Sequence, residues 1–288
     1  MCGVNDVTPQ GLYYKQSGRV PVKGLVLAIV GGGAVVSLFA AVYAYFDAIM
    51  PFIYLNLIAA VVVGTVAGIV TGKLLVRGIV RNNLAAVIAG AAVGFIALYV
   101  AWAAWPGALL DKRAGAEMGF FHLLASPPAL LSTITTINRR GAWRLGNATP
   151  TGLILWIAWA GEAAIIIGTS LFTARSFVAT EAVCETCQQW CVEEPRVLEA
   201  HGADTVELKR RLETKDFGYL AALGPRSSHD VEWFRIDLHR CPRCGNTAML
   251  TAKSVDLTTE GGRDKTKIIV EKLLVTQAEV ETLRQING

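Results

Sequence analysis

The sequence predicts a membrane α-helical bundle of about four transmembrane helices with one interfacial or re-entrant segment, followed by a small soluble α+β domain. Three observations predict it. The 288-residue chain is 53% hydrophobic and only 17% charged, whereas an ordinary soluble domain carries about 25% charged residues. Four long apolar runs fall before residue 175, each near the roughly 20 residues that cross a hydrocarbon core. Five of the six cysteines fall after residue 175, where apolar residues alternate with polar ones.

Charge divides the same way. Residues 1–174 hold 11 Lys/Arg against 5 Asp/Glu, and residues 175–288 hold 16 against 18. The pI near 8.7 therefore belongs to the flanks of the apolar runs. The soluble part has no basic footprint, which makes nucleic acid an unlikely partner.

Residues 1–23 read as a polar lead-in ending in Arg19 and Lys23. It lacks the basic-then-apolar form of a signal peptide. Cys2 has no lipobox-like run before it and Gly3 is outside the myristoylation position, so Cys2 reads as incidental. The first span is 24–46, uncharged, with Tyr43 and Tyr45 near its end as an interfacial belt. Asp47 and Pro51 read as a short turn.

The second span, 52–76, carries Gly64, Gly68 and Gly72 at four-residue intervals. That spacing puts bare backbone on one helix face, where a neighbouring helix can approach closely. The third span, 84–105, repeats the pattern at Gly90 and Gly94, and the fourth, 152–174, at Ala160, Ala164 and Gly168. Two uses fit this glycine zipper: packing within the chain, or pairing with a second copy in a homo-oligomer.

Between the third and fourth runs, residues 119–137 are uncharged but interrupted by Ser126-Pro127-Pro128. Two prolines in mid-run break a helix and remove two backbone donors, so an interfacial or re-entrant helical pair is expected there. His122 reads as an interfacial polar tip.

Glu162 is an acid in the middle of the fourth run. An acid at bilayer depth costs roughly 2.5–3.5 kcal/mol and must face protein or water. It is either a proton or cation relay in a pore or coupling site, or a neutral structural acid bonded to Asn56, Thr65 or a hydroxyl of another span.

Positive flanks orient the chain. Arg19 and Lys23 precede the first span, and Lys73, Arg77 and Arg81 follow the second, which places the N-terminus and, after four spans, residues 175–288 in the cytoplasm. The cluster Lys112, Arg113, Arg139, Arg140 and Arg144 opposes this. The cysteines decide for four spans, because thiolate sites suit a reducing compartment. The expected location is the bacterial inner (plasma) membrane, multi-pass, with the C-terminal domain cytoplasmic.

Residues 175–288 open on Cys184-Glu-Thr-Cys187-Gln-Gln-Trp-Cys191. A polar connection with Pro195 follows. Asp204 with Glu207 three residues on reads as a capping box for a short helix, with a second through Phe217–Leu223 ended by Gly224-Pro225. Strands are expected at 231–240, 248–259 and 265–276, and a short helix at 277–286. Two C-x-x-C pairs in this setting point to a metal site.

Cys241-Pro-Arg-Cys244-Gly245 resembles the knuckle of the zinc-ribbon superfamily, over residues 180 to 260 only. The resemblance implies a structural Zn²⁺ held by Cys184, Cys187, Cys241 and Cys244, with Cys191 as an alternate ligand. A closed shell of four thiolates leaves no open position for water. The 53 residues between Cys187 and Cys241 exceed the compact form's roughly 15–20, so the helical segment 204–223 is an insertion. Buried free thiols and a redox pair are the other readings of these cysteines.

No nucleotide loop, metalloprotease motif or nucleophile elbow occurs, so no enzyme activity is expected. The sequence favours an assembly or interaction component whose zinc domain docks a cytoplasmic protein partner. An oligomeric channel or transporter using Glu162 is the alternative.

Overall fold

The structure is a computed structural model that describes residues 11–50, 53–109, 119–141, 149–202, 204–227, 229–257 and 265–287. Cys2, Pro51, the charged turn with Lys112 and Arg113, Arg144 and the turn at 260–264 lie outside the described residues. The chain divides into two units: Gly18–Thr180, and Glu181–Gly288 together with the N-terminal segment up to Ser17.

The first unit contains four helices long and apolar enough to cross a membrane. The first is a continuous 28-residue rod, Val22–Ile49, made of α1 (Val22–Val26), a π-helical turn over Leu27–Gly31, and α2 (Gly32–Ile49). Then come α3 (Ile53–Arg77), α4 (Asn83–Leu109) and α7 (Leu153–Thr180). Between α4 and α7 the Ser-Pro-Pro interruption produces two short helices, α5 (Phe120–Ala125) and α6 (Pro127–Arg140). The prolines stand in the first turn of α6, where the missing N–H groups have no helical acceptor to lose. Leu123, Leu130 and Ile134 turn into the core of the bundle.

The five marked glycines all meet α7. A Cβ on Gly64 would lie 2.4 Å from the carbonyl oxygen of Ile166, one on Gly68 2.6 Å from that of Ser170, and one on Gly72 2.7 Å from Phe177 Cβ. On α4, Gly90 would place it 2.8 Å from Leu171 Cα and Gly94 3.1 Å from Ile167 Cα. Thus α7 lies against both α3 and α4 at backbone distance, and Ser170 Oγ donates to Gly90 O at 2.7 Å. The α7 residues Ala160, Ala164 and Gly168 point elsewhere: the two alanines are exposed, and a Cβ on Gly168 meets nothing. Leu38, Val42, Ile58, Ile88, Ile157 and Phe172 are also exposed, so the outside of the bundle is apolar.

The second unit is built on a four-stranded antiparallel sheet in the order β3-β4-β5-β6. Strands β4 (Glu232–Arg240), β5 (Ala248–Asp256) and β6 (Lys265–Val275) fall within a few residues of the expected stretches. β3 (Val192–His201) corrects the polar connection expected around Pro195. It is an edge strand, where proline's missing donor costs no ladder bond. Its register shifts between Glu194 and Leu198, with Arg196 at φ +58°. The lead-in also needs correction. Leu274 N donates to Leu12 O and Tyr14 N to Lys272 O, so residues 12–14 extend the sheet beyond β6.

Helices cover one face of this sheet. Phe234, Ile236 and Leu238 of β4 join Leu208, Leu212, Leu220, Val280 and Leu283 in its core. The helices are α8 (Thr205–Glu213), α9 (Gly218–Ala221) and α10 (Gln277–Asn287). Each fully buried leucine contributes about 1.5–3 kcal/mol over its exposed state. Asp204 caps α8 by accepting from Val206 N at 2.9 Å. Glu207 does not reach back to complete a capping box, because Arg210 and Arg211 hold its carboxylate.

The other face is polar. Its centre is Asp237, fully buried, with Lys253 Nζ at 2.7 Å, Arg235 Nε at 3.1 Å and the Arg196 N–H at 2.9 Å. Burial raises the pKa of this carboxyl, but these donors outweigh it and hold the group below the usual carboxylate range. Its stabilisation is therefore complete above the unfolded value near ~3.9 and is lost as pH falls through the lower folded value.

Two outcomes test this packing. Gly68→Ala should destabilise the bundle by about 1–3 kcal/mol, while Gly168→Ala should stay within about 0.5 kcal/mol of wild type, as read by thermal unfolding in detergent. Asp237→Asn should cost the second unit about 2–3 kcal/mol by uncovering Lys253 and Arg235. That cost should shrink below pH 4, and denaturant titration at pH 7 and pH 3 would read the difference.

Candidate functional site

Two clusters of chemistry-bearing residues emerge, one in each unit. The first is formed by two turns. β1 (Val183–Cys184) pairs with β2 (Gln189–Trp190) in a small hairpin, with Cys187 in its turn. The second turn joins β4 to β5: Gly245 N donates to Cys241 O at 3.0 Å, and Cys241 N to Thr247 O at 2.9 Å. Gly245 has φ +69°, a conformation that a side chain disfavours. The N-terminal segment braces the first hairpin, since the Tyr14 hydroxyl accepts from Val183 N at 2.9 Å.

The sulfurs of Cys184, Cys187, Cys241 and Cys244 all lie within 4.8 Å of one another and could hold a metal ion. Cys184 Sγ and Cys244 Sγ are 3.7 Å apart. A tetrahedral ion with metal–sulfur bonds of ~2.3 Å has ligand edges of about 3.8 Å, so the donor set fits. Thr247 Oγ1 donates to Cys184 Sγ at 3.2 Å. Although burial pushes the Cys244 thiol up, the Asn246 amide, the Cys187 and Cys241 thiols and the Thr247 amide bring it down to about 7. Cys191 sits in the same cluster but outside the four, and burial followed by its cysteine neighbours pushes it up to about 12. His239, one residue before the strand end, is not among the four.

The second cluster is in the helical unit. Glu162 stands about 14 Å along α7 from Leu153, nearer the middle of the 28-residue helix than that end. The Tyr43 hydroxyl of α2 donates to Glu162 Oε1 at 2.6 Å. This is a hydroxyl of another span, not Asn56 or Thr65. Asp47 was expected in a turn, but α2 continues to Ile49 and carries Asp47 one turn beyond Tyr43 into the same cavity. The polar neighbours of Asp47 are Trp105 and Asn56.

Tryptophans form the rest of the cavity wall. Trp102 and Trp105 of α4 meet Trp159 of α7 edge-on, at 4.9 and 6.0 Å between ring centres, and Trp156 meets Trp159 at 5.3 Å. The cavity is about 20 Å³, room for one water-sized species and too little for an organic ligand. Sequence reading found Glu162 and missed Asp47. The available signal was the i, i+4 spacing of Tyr43 and Asp47 at the end of an apolar run.

No family model matches the chain, and neither a curated protein nor a solved structure matches it.

The cysteine geometry predicts about one bound metal ion per chain by elemental analysis. Cys241→Ser should lose the metal, and the second unit should lose its cooperative unfolding transition, because metal binding is part of the folding free energy. Cys191→Ser should keep full metal content; loss of metal there would move Cys191 into the ligand set.

Proposed function

We propose that this chain is a four-span membrane protein that binds and passes a proton or small monovalent cation at Asp47 and Glu162, with a C-terminal domain folded around a structural zinc ion. The observation that carries the functional reading is the pairing of two carboxylates from different helices, closed by Tyr43, in a cavity the size of one water. Two acids share the site, and one small cation would neutralise part of their charge without an organic ligand's volume. Trp102, Trp105 and Trp159 surround them with apolar surface.

Several features support the membrane part. The bundle is apolar on its outside, the reverse of a soluble helical domain. Residues 12–14 bond to β6, so both ends of the chain belong to one unit, and a chain whose ends share one side of a bilayer crosses it an even number of times. Four spans satisfy that and five do not. The helices α5 and α6 are each too short to span about 30 Å at 1.5 Å per residue, which supports an interfacial or re-entrant pair. A reducing compartment, hence the cytoplasm, is where four thiolates persist as zinc ligands.

Zinc is the ion of choice for four cysteines at this spacing, since soft thiolates in a tetrahedron favour it. With no open coordination position it supplies structure rather than reaction chemistry. The assembly-component reading is the second one. A closed metal site supports it by leaving the domain's surfaces, not the metal, as the means of recognition. The five glycines packed on α7 lend nothing to a homo-oligomer.

Flux decides between them. Protein reconstituted in liposomes should dissipate an imposed proton or sodium gradient, and Glu162→Gln or Asp47→Asn should slow this at least tenfold without loss of zinc. Wild-type protein that passes neither ion sinks the transport reading and leaves the assembly component standing.

A further inference from the structure

The polar face of the second unit's sheet holds a second cavity that neither the metal centre nor the bundle uses. It lies at the end of β4 away from the Cys241 turn. Trp233 and Arg235 of β4 reach it on the face opposite Phe234 and Ile236. Arg196 and Glu199 come from the bulged edge strand β3, Thr266 from β6, and Arg226 from the segment before β4. That segment is tied to β3 by a bridge between Pro225 and Ala200. The cavity measures about 350 Å³, within the range of small-ligand sites.

Its charge is unbalanced. Three guanidinium groups line it with a single carboxylate, Glu199, which sits 3.1 Å from Arg226 Nη1 and 3.9 Å from Arg196 Nε. Asp237 stands behind Arg235, but the Lys253 ammonium and the Arg196 N–H already share it. Glu199 and Asp237 compensate these cations only in part, so the cavity itself keeps a positive balance that favours an anion.

A second observation points to the same conclusion. The Trp233 side chain is buried, with the residue only 6% exposed. Its indole N–H has no acceptor among the described residues. Buried donors nearly always have a partner, and leaving one unmade costs about 1–3 kcal/mol. The Arg226 guanidinium is stacked 3.8 Å from the centre of the same ring, which fixes both groups in place before any ligand arrives. Rigid planar forks of this kind match the oxygens of a phosphate.

We infer that this cavity binds a phosphate group, with Arg196, Arg226 and Arg235 as the cationic cradle and the Trp233 N–H as a neutral donor. The volume exceeds that of inorganic phosphate and the lining is almost wholly polar, so a small polar phosphate ester fits. The same group is presented by a soluble metabolite and by a phospholipid headgroup.

The test uses the full chain in detergent, with zinc content confirmed. Inorganic phosphate, glycerol phosphate and a short-chain phosphatidylglycerol are titrated by calorimetry at low salt, with short-chain phosphatidylcholine as the zwitterionic control. Saturable binding is expected for glycerol phosphate, weakened at least tenfold in Arg226→Gln and severalfold in Trp233→Phe, which keeps the ring but removes the donor. Arg226→Lys should restore only part of the affinity. Tight binding of glycerol phosphate assigns a soluble ester, and binding of the phosphatidylglycerol alone assigns a headgroup. Absence of binding by all three phosphates, or affinity unchanged in both Arg226→Gln and Trp233→Phe, overturns the proposal. Should Arg226→Gln fail to fold, Trp233→Phe still decides.

Discussion

The close approach of α7 to α3 and α4 is the constraint on which the helical unit depends. In the bilayer proposed above, lipid would supply no hydrophobic force between the helices, and short-range dispersion and interhelical hydrogen bonds would hold them. Bare glycine backbone on α3 and α4 allows the α7 main chain within contact distance, and the Ser170 hydroxyl bonds across to Gly90. This contact also fixes the rotation of α7 about its axis. Given that rotation, Trp159 and Glu162 must face α2 and α4, where Tyr43, Asp47 and Trp102 meet them. The acidic cavity therefore follows from glycines one to several turns away that touch none of its residues.

The second unit solves a different problem. Its sheet has one face covered by helices and an apolar core, and a second face with no helix of this unit over it among the described residues. That face is divided. At one end Met249 and Leu274 pack on the cysteine cluster. In the middle Asp237 is surrounded by cations, and at the far end the arginines surround an open cavity. The cysteine cluster, which could hold a metal ion, sits near the turn without covering the face, and the far end stays open.

Much of this was legible in the sequence because it rests on local pattern. Uninterrupted apolar runs gave the four long helices, Ser126-Pro127-Pro128 gave the break between α5 and α6, and the C-x-x-C spacing gave the cysteine cluster. The misses share a cause. β3 was hidden because an edge strand with a proline and a bulge does not alternate strictly. Asp47 was hidden because its significance lies in a helix more than a hundred residues away. The arginine cavity gathers Arg196, Arg226 and Arg235 from three segments, each of which alone reads as solvated surface. Non-local convergence of this kind leaves no periodicity to read.

The strand formed by residues 12–14 makes the second unit discontinuous along the chain. Its first part is synthesised before the helices of the bundle, and its partner β6 after them. Tyr14 also braces the hairpin that carries Cys184. During synthesis residues 12–14 have no edge to join until β6, Lys265–Val275, has emerged. Closing so long a loop costs little more entropy than closing a moderate one, since the penalty grows only with the logarithm of length. The delay is instead one of order. Completion of the second unit waits for β6, and a chain lacking residues 12–14 leaves that stretch of the β6 edge open, the kind of exposed strand that marks unfinished protein.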